Sequence, residues 1–421
     1  MPSNSIDSVE LLDLKAQYNS IRDEIRVAVD RVLESQHFIM GPEVKSLEQE
    51  MARYIRARHA LGCASGSDAL LLALMAIDIR PGDLVITSPY PFFATGGAIA
   101  RLGAEPVFID INPVDYNLRP SLVRSFLEGE HPLCERFENY TDRVKAIIPV
   151  HLYGQCADMD PLLELAEQYG LKVIEDAAQA IGASYKHEQA GTFGDFGCFS
   201  FFPSKNLGAY GDAGLITVKD DALAEKTSII RLHGGKPKYY HKMVGINSRL
   251  DAIQAAIIRV KLKYLDDWSA ARRDKAMKYN RMFTEEGIGI THDNLGCDSY
   301  CMAMGGSNCG FSGKPDKIVL PAETTGNPDD GGRHIYHQYV IRTGRREHLM
   351  AALDKAGIGH AVYYPVPLHE QECFAGLGYK PEDCPASHCA AQQTLALPIY
   401  PELGRAKQEY VVKTIAEALK T

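Results

Sequence analysis

Residues 171–183 read Leu-Lys-Val-Ile-Glu-Asp-Ala-Ala-Gln-Ala-Ile-Gly-Ala. A short apolar run ends on two carboxylates, Glu175 and Asp176, and passes into a helix-like stretch. Apolar runs of this length, bounded by turn residues, are what a strand covered on both faces requires. Six similar runs surround it: HALGCA (59–64), DLVITSP (83–89), EPVFIDI (105–111), VKAIIPVH (144–151), CFSFF (198–202) and GLITV (214–218). Helical patterns such as ALLLALMAI (69–77), FFATGGAIARLG (92–103) and DPLLELAEQYG (160–170) lie between several of them. Strands alternating with helices predict an α/β fold: a mostly parallel sheet with helices on both faces, three layers in all. Ligands of such sheets bind beyond the carboxyl ends of the strands. Functional residues are therefore expected directly after the apolar runs.

Leu14, Tyr18, Ile21, Ile25, Val29 and Leu33 recur at helical spacing ahead of the first run, which predicts an opening amphipathic helix. After the last run, Ser248 to Glu286 is helix-compatible throughout and reads as one long connecting helix. His292 to Arg333 is rich in Gly, Asn, Asp and Cys and reads as a loop insertion at about 293–330. Strand and helix patterns then resume from HIYHQYVIR (334–342). The expected division is 1–265 for the N-terminal segment and large sheet domain. Residues 266–421 would hold the connecting helix and a smaller α+β domain.

The chain has 421 residues, 45% of them apolar and 24% charged, which is enough to bury a sizeable core and excludes dominant disorder. Its net charge of -9 argues against nucleic acid, which is bound through basic contacts to phosphate. A local basic pocket for a phosphorylated small molecule remains compatible with it. MPSNSIDSVELLD lacks the basic start and apolar core of a signal peptide, and Ala69–Ile77 is far short of the ~20 residues that span a bilayer. A cytoplasmic protein, with no membrane partner, is expected. In that compartment ten cysteines read as free thiols, metal ligands or catalytic groups. Cys297, Cys301 and Cys309 fall in the insertion, and Cys373, Cys384, His388 and Cys389 near residue 380. Their CxxxC and CxxxxC spacings do not match the CxxC pairs of structural zinc, so no metal is expected.

GxGxxG, a Walker loop, GxSxG and HExxH are all absent. Three other places carry chemistry. Asp176 stands at the mouth of the sheet with Gln179 three residues on; it serves either a ligand or a helix N-cap. Lys205 follows the run CFSFF, between Pro203 and a Gly-rich turn. Aromatic neighbours would desolvate its amine and lower its pKa, as a Schiff-base nucleophile needs, whereas a solvated turn lysine would gain nothing there. Ser200 is placed to face the same pocket. Ser65-Gly66-Ser67 leads into an apolar helix whose free N–H groups suit a phosphate, or else simply caps it. A phosphate seat, a carboxylate and such a lysine on one sheet are what pyridoxal 5'-phosphate requires. The lysine holds its aldehyde, and the carboxylate keeps its pyridine nitrogen protonated.

PVHLYGQ (149–155), DMD (158–160), VIEDAAQAIGA (173–183), GDFGCFSFFPSKNLGAYGDAG (194–214), GINSRLDAIQAA (245–256) and YYPVPLHEQ (363–371) occur in order. This series resembles the DegT/StrS family of nucleotide-sugar aminotransferases, pyridoxal-phosphate enzymes of fold type I. It runs from about Leu11 to the end, the insertion excepted. The resemblance implies that Lys205 carries the cofactor and serves as general acid/base, with Asp176 on the pyridine nitrogen. Gln179 would lie near the 3-oxygen, and Gly66, Ser67 and Ser200 would hold the phosphate. Phe92 would cover the ring, unless it is a core aromatic. Asn247 would reach the partner's cofactor, making a homodimer with shared sites, unless it only caps a helix. Tyr363, Tyr364 and His369 would line the sugar side, with His151 and His233 nearby.

The implied reaction transfers the amino group of L-glutamate to a keto sugar of a nucleotide diphosphate, for amino-sugar and polysaccharide biosynthesis. YYPVPLHEQECFAGLGY (363–379) most resembles members acting on 3-keto sugars. The alternatives are a 4-keto substrate, sugar dehydration, which relatives with histidine in place of the lysine perform, and a non-catalytic regulator that binds the cofactor.

Overall fold

The computed structural model describes residues 8–292 and 316–421. All seven apolar runs are strands of one sheet: β1 (His59–Cys63), β2 (Leu84–Thr87), β3 (Glu105–Phe108), β4 (Val144–Ile148), β5 (Lys172–Asp176), β6 (Phe196–Ser200) and β7 (Gly214–Val218). The order is β1-β7-β6-β5-β4-β2-β3. From β3 across to β6 neighbours are parallel; β7 runs antiparallel to both β6 and β1. Register places Asp176 opposite Cys198, and both Ser200 and Cys63 opposite Gly214. The ends of β1, β5 and β6 therefore share one edge with the start of β7. The central strands are covered on both faces, with Leu84, Ile86, Ile147, Ile174 and Phe199 all fully buried.

The opening helix, α1, spans Leu14–Ser35. Ile21, Ile25 and Val32 face the core, while Leu14 and Leu33 are exposed. It packs with α2 (Pro42–Ile55) against a helix at Ala252–Leu262. α3 (Gly66–Ala76) and α4 (Ala94–Arg101) lie on the other side and touch each other.

The single connecting helix expected over 248–286 is instead two, Ala252–Leu262 and Leu265–Glu285, broken at Lys263–Tyr264. Tyr264 stacks on Trp268 with ring centroids 5.7 Å apart, and its hydroxyl donates to Glu24 on α1. The break lets the first helix follow α1 and α2 while the second turns to a smaller sheet. Asp266 and Asp267 in the first turn suit the positive end of a new helix, and they were the available sign of it.

That smaller sheet has four strands, β8 (Gly289–Ile290), β9 (Ile318–Val319), β10 (Tyr339–Arg342) and β11 (Thr394–Leu397), in sequence order. Tyr279, Phe283, Leu349, Val411 and Ile415 form its own buried core. The expected loop insertion is corrected from residue 316 onward. Ile318–Val319 is a strand, and Gln155 Oε1 accepts from the Thr325 and Gly326 N–H groups at 3.2 and 3.0 Å. Cys297, Cys301 and Cys309 lie outside the described residues. No described helix is long and apolar enough to cross a membrane.

Candidate active site

Successive side chains on a strand point to opposite faces, so Glu175 and Asp176 part company at the end of β5. Glu175 is fully buried and accepts from the N–H groups of Gly191, Phe193 and Gly194 at 2.6, 2.8 and 2.8 Å. His151 Nε2 is 2.9 Å from the same carboxylate, and its Nδ1 accepts from the Ala157 N–H. That fixes the proton on Nε2. Both ring nitrogens are occupied and the side chain is sealed, so the expected substrate role of His151 is corrected to a structural one.

Asp176 turns the other way. Its Oδ2 accepts from the Thr95 hydroxyl at 2.6 Å and its Oδ1 from the Ala178 N–H at 3.2 Å. No helix begins at Asp176. The stretch after it is a run of turns, closed by Ala180 N–H to Ala177 O and Ala183 N–H to Ala180 O, so the helix-cap alternative falls. Gln179 is nevertheless held beside Asp176's edge of the sheet: its amide oxygen accepts from the Tyr153 N–H at 2.8 Å and its amide nitrogen donates to the Tyr364 hydroxyl at 3.0 Å.

Lys205 sits in the turn after β6, its own N–H bonded to Phe202 O at 2.8 Å. Burial lowers the amine to about 8, and the Asp176 carboxylate offsets part of that fall. Half-neutral at mildly alkaline pH, such an amine can attack a carbonyl. Beside it, α3 presents its N-terminus. Ser65 caps the helix through its hydroxyl to the Asp68 N–H at 3.1 Å, leaving the Gly66 and Ser67 N–H groups directed outward. A Cβ on Gly66 would lie 2.7 Å from Ser200 Cβ, so only glycine lets the helix end sit on Ser200.

Phe92 is 56% exposed, which excludes a core aromatic; its ring lies 6.0 Å from that of Tyr364. Tyr364 is partly buried, and Tyr363 is fixed through its carbonyl to the Tyr153 hydroxyl. His369 is not on this surface. It is buried edge-on to Tyr379, its Nε2 is 3.5 Å from Glu370, and burial lowers it to about 4. Its expected substrate role is corrected: the ring is enclosed against Tyr379, away from Phe92 and Tyr364.

Asn247 and His233 stand apart from the cluster, both exposed on facing backbone segments bridged between Leu232 and Asn247. His233 lines a cavity of about 790 Å³ together with Arg231, Lys236, Lys238, Tyr239 and Arg249. Sequence reasoning missed Thr95 and a pair behind Lys205, the contact of Asn206 Oδ1 with His337 Nδ1 at 3.0 Å. His337 is fully enclosed, and burial together with nearby Lys205 and Arg272 drives its pKa well down. Among the described residues no three His, Cys, Asp or Glu side chains gather as a metal site.

The model of the DegT/DnrJ/EryC1/StrS aminotransferase family matches residues 19–303 and 316–416. The chain belongs to that family. It is 47% identical over 410 residues to a pleiotropic regulatory protein of Geobacillus stearothermophilus, covering 97% of this chain and 98% of the relative. It is 38% identical to a UDP-2-acetamido-2-deoxy-3-oxo-D-glucuronate aminotransferase of Pseudomonas aeruginosa, over 98% and 99% of the two chains. The solved structure of NtdA from Bacillus subtilis with bound cofactor PMP superposes with a TM-score of 0.82 at 28% identity, over 100% of this chain and 87% of that one. This member of the DegT/DnrJ/EryC1/StrS family is a pyridoxal-phosphate-dependent aminotransferase with a fold-type-I architecture.

Proposed function

We propose that the protein transfers the amino group of L-glutamate to the 3-keto group of a nucleotide-diphosphate sugar, with Lys205 and Asp176 as its catalytic pair. One observation carries this reading. An amine lowered to about 8, with no hydrogen-bond partner among the described residues, stands at the same sheet edge as a carboxylate anchored by Thr95. Those residues fit pyridoxal phosphate, and the Gly66–Ser200 approach leaves the α3 N-terminus as the seat for its phosphate. When bound, the cofactor supplies an electron sink for the carbon that loses and regains a proton.

Asp176 would hold a proton on the cofactor's ring nitrogen, and Gln179 would meet its 3-oxygen. Gly66, Ser67 and Ser200 would bind its phosphate, and Phe92 would cover its ring. Lys205 Nζ would hold the cofactor and would move a proton at the reacting carbon of donor and sugar in turn. Tyr363 and Tyr364 meet the sugar. The cationic cavity beside His233, Lys238 and Arg249 suits the diphosphate.

The chain works as a homodimer in the cytoplasm, with Asn247 reaching the partner's cofactor. Tyr239, Tyr240 and Val244 near Asn247 are 79%, 71% and 90% exposed, which favours a second chain covering them. The 3-keto choice rests on the 363–379 segment and on the P. aeruginosa relative.

The experiment is a panel of UDP-, dTDP- and GDP-linked 3-keto and 4-keto sugars with the yellow holoenzyme and glutamate. Bleaching by glutamate followed by amination of a 3-keto sugar is expected. Amination of 4-keto sugars alone overturns the regiochemistry. The regulator's name of the G. stearothermophilus relative favours a second reading, in which the cofactor is held without turnover; a holoenzyme that glutamate leaves yellow would establish it.

A further inference from the structure

We propose that Lys261, a buried lysine on the helix Ala252–Leu262, is a positioning residue that fixes the Lys205 loop by donating to the Gly208 carbonyl. This rests on the reading of Lys205 above.

The loop from Pro203 to Tyr210 folds back on itself. A Cβ on Gly208 would lie 2.3 Å from Pro203 O and 3.0 Å from Phe202 O, so the two arms are in contact and Gly208 must stay glycine. Ala209 N–H closes the base of the loop on Phe201 O at 2.7 Å. Two side chains of the neighbouring helix then grip the returning arm. Gln254 Oε1 accepts from the Tyr210 N–H at 2.9 Å, and Lys261 Nζ donates to Gly208 O at 2.5 Å. Gln254 and Lys261 are seven residues apart, so they share one face of that helix. Whatever moves this arm moves the arm that carries Lys205.

Lys261 is only 1% exposed, and its amine faces the Tyr210 ring with 4.9 Å to the centroid. No carboxylate pairs with it among the described residues. Burial accordingly lowers it to about 8. An unpaired amine in such a place carries a desolvation penalty that methionine or leucine of similar bulk would not. What neither could do is satisfy the Gly208 carbonyl. A neutral amine still donates, so the tether survives deprotonation.

The test uses Lys261→Met as holoenzyme, with Gln254→Met as its companion. The pH midpoint of the bound cofactor's visible absorption reports the environment of the Lys205 nitrogen, which a merely structural role would leave unmoved. Lys261→Met is expected to shift that midpoint by about half a pH unit or more. Bleaching by glutamate should slow about 10- to 100-fold, the scale of a small misplacement of a reacting group. Gln254→Met should shift both in the same direction and by less. Wild-type midpoint and rate in Lys261→Met overturn the proposal, and where that variant does not fold, the same result in Gln254→Met does so. Borohydride trapping of the wild-type holoenzyme separates the two readings: cofactor fixed on a residue other than Lys205 fails the assignment of Lys205 itself.

Discussion

The Thr95 hydroxyl donates a 2.6 Å hydrogen bond to Asp176 Oδ2, joining the first turn of α4 to the end of the central strand β5. Thr95 is fully buried and Asp176 nearly so, and the charge nearest in effect is the Lys205 amine, which feels the carboxylate. The hydroxyl therefore both stabilises the carboxylate and sets its direction.

Thr95→Val keeps the shape and removes the donor. Cofactor affinity and the glutamate half-reaction should both fall, by about tenfold, the value of one hydrogen bond to a charged group. Thr95→Ser should retain most of the wild-type rate. Asp176→Asn removes the charge itself and should lower kcat on the order of 100-fold or more, as for other preorganised electrostatic contacts. Stopped-flow absorbance with glutamate checks all three, and a wild-type rate in Asp176→Asn would refute the role of the acid.

The two lysines lowered to about 8 should separate by access. At pH 8 half of each is neutral, against roughly 0.4% for an ordinary lysine. Lys205 is partly exposed at the mouth of the sheet, whereas Lys261 is sealed. Brief treatment of apoprotein with an acylating reagent at pH 8, read by peptide mass spectrometry, should label Lys205 ahead of other lysines and leave Lys261 unlabelled. Bound cofactor should protect Lys205. Labelling of Lys261 first would contradict the geometry.

The seven strands were legible because each is short and largely apolar, the central ones covered on both faces, so the runs stand out without any knowledge of their partners. Asp176 and Lys205 were legible for the same reason: they directly follow such runs, where a parallel sheet opens. Residues fixed by distant partners were not. His151 looks like a site residue in the chain, but strand alternation and Glu175 turn it inward. Thr95 meets Asp176 across 81 positions, and His337 meets Asn206 across 131, with no local pattern to announce either. The break at Lys263–Tyr264 carries no Gly or Pro because tertiary packing, through Trp268 and Glu24, makes it.

Gly66→Ala tests the phosphate seat. Its Cβ would fall 2.7 Å from Ser200 Cβ and 3.2 Å from Ser200 Cα, so the start of α3 must retreat from β6. Retention of cofactor through dialysis should drop sharply, while melting of the apoprotein should fall by only ~1–3 kcal/mol, the ordinary cost of overpacking. Equal loss of both would indicate general unfolding in place of a damaged seat.

Acid stability follows from buried histidines, His369 and His334 along with His337. Burial holds His369 at about 4 and His334 at about 3, against about 6.5 in the unfolded chain. Above 6.5 both states are neutral and the pH has no effect through these groups. Below 6.5 the unfolded chain binds protons that the folded chain refuses, so stability falls with pH and levels off only beneath the folded values. For His369 the difference corresponds to about 3 kcal/mol, the net of burial against the partly offsetting charge of Asp383. His369→Phe removes that titration while filling the space beside Tyr379. Urea midpoints at pH 7 and pH 5 should therefore diverge less in the variant than in the wild type. Parallel loss in the two proteins would show that His369 is not held neutral.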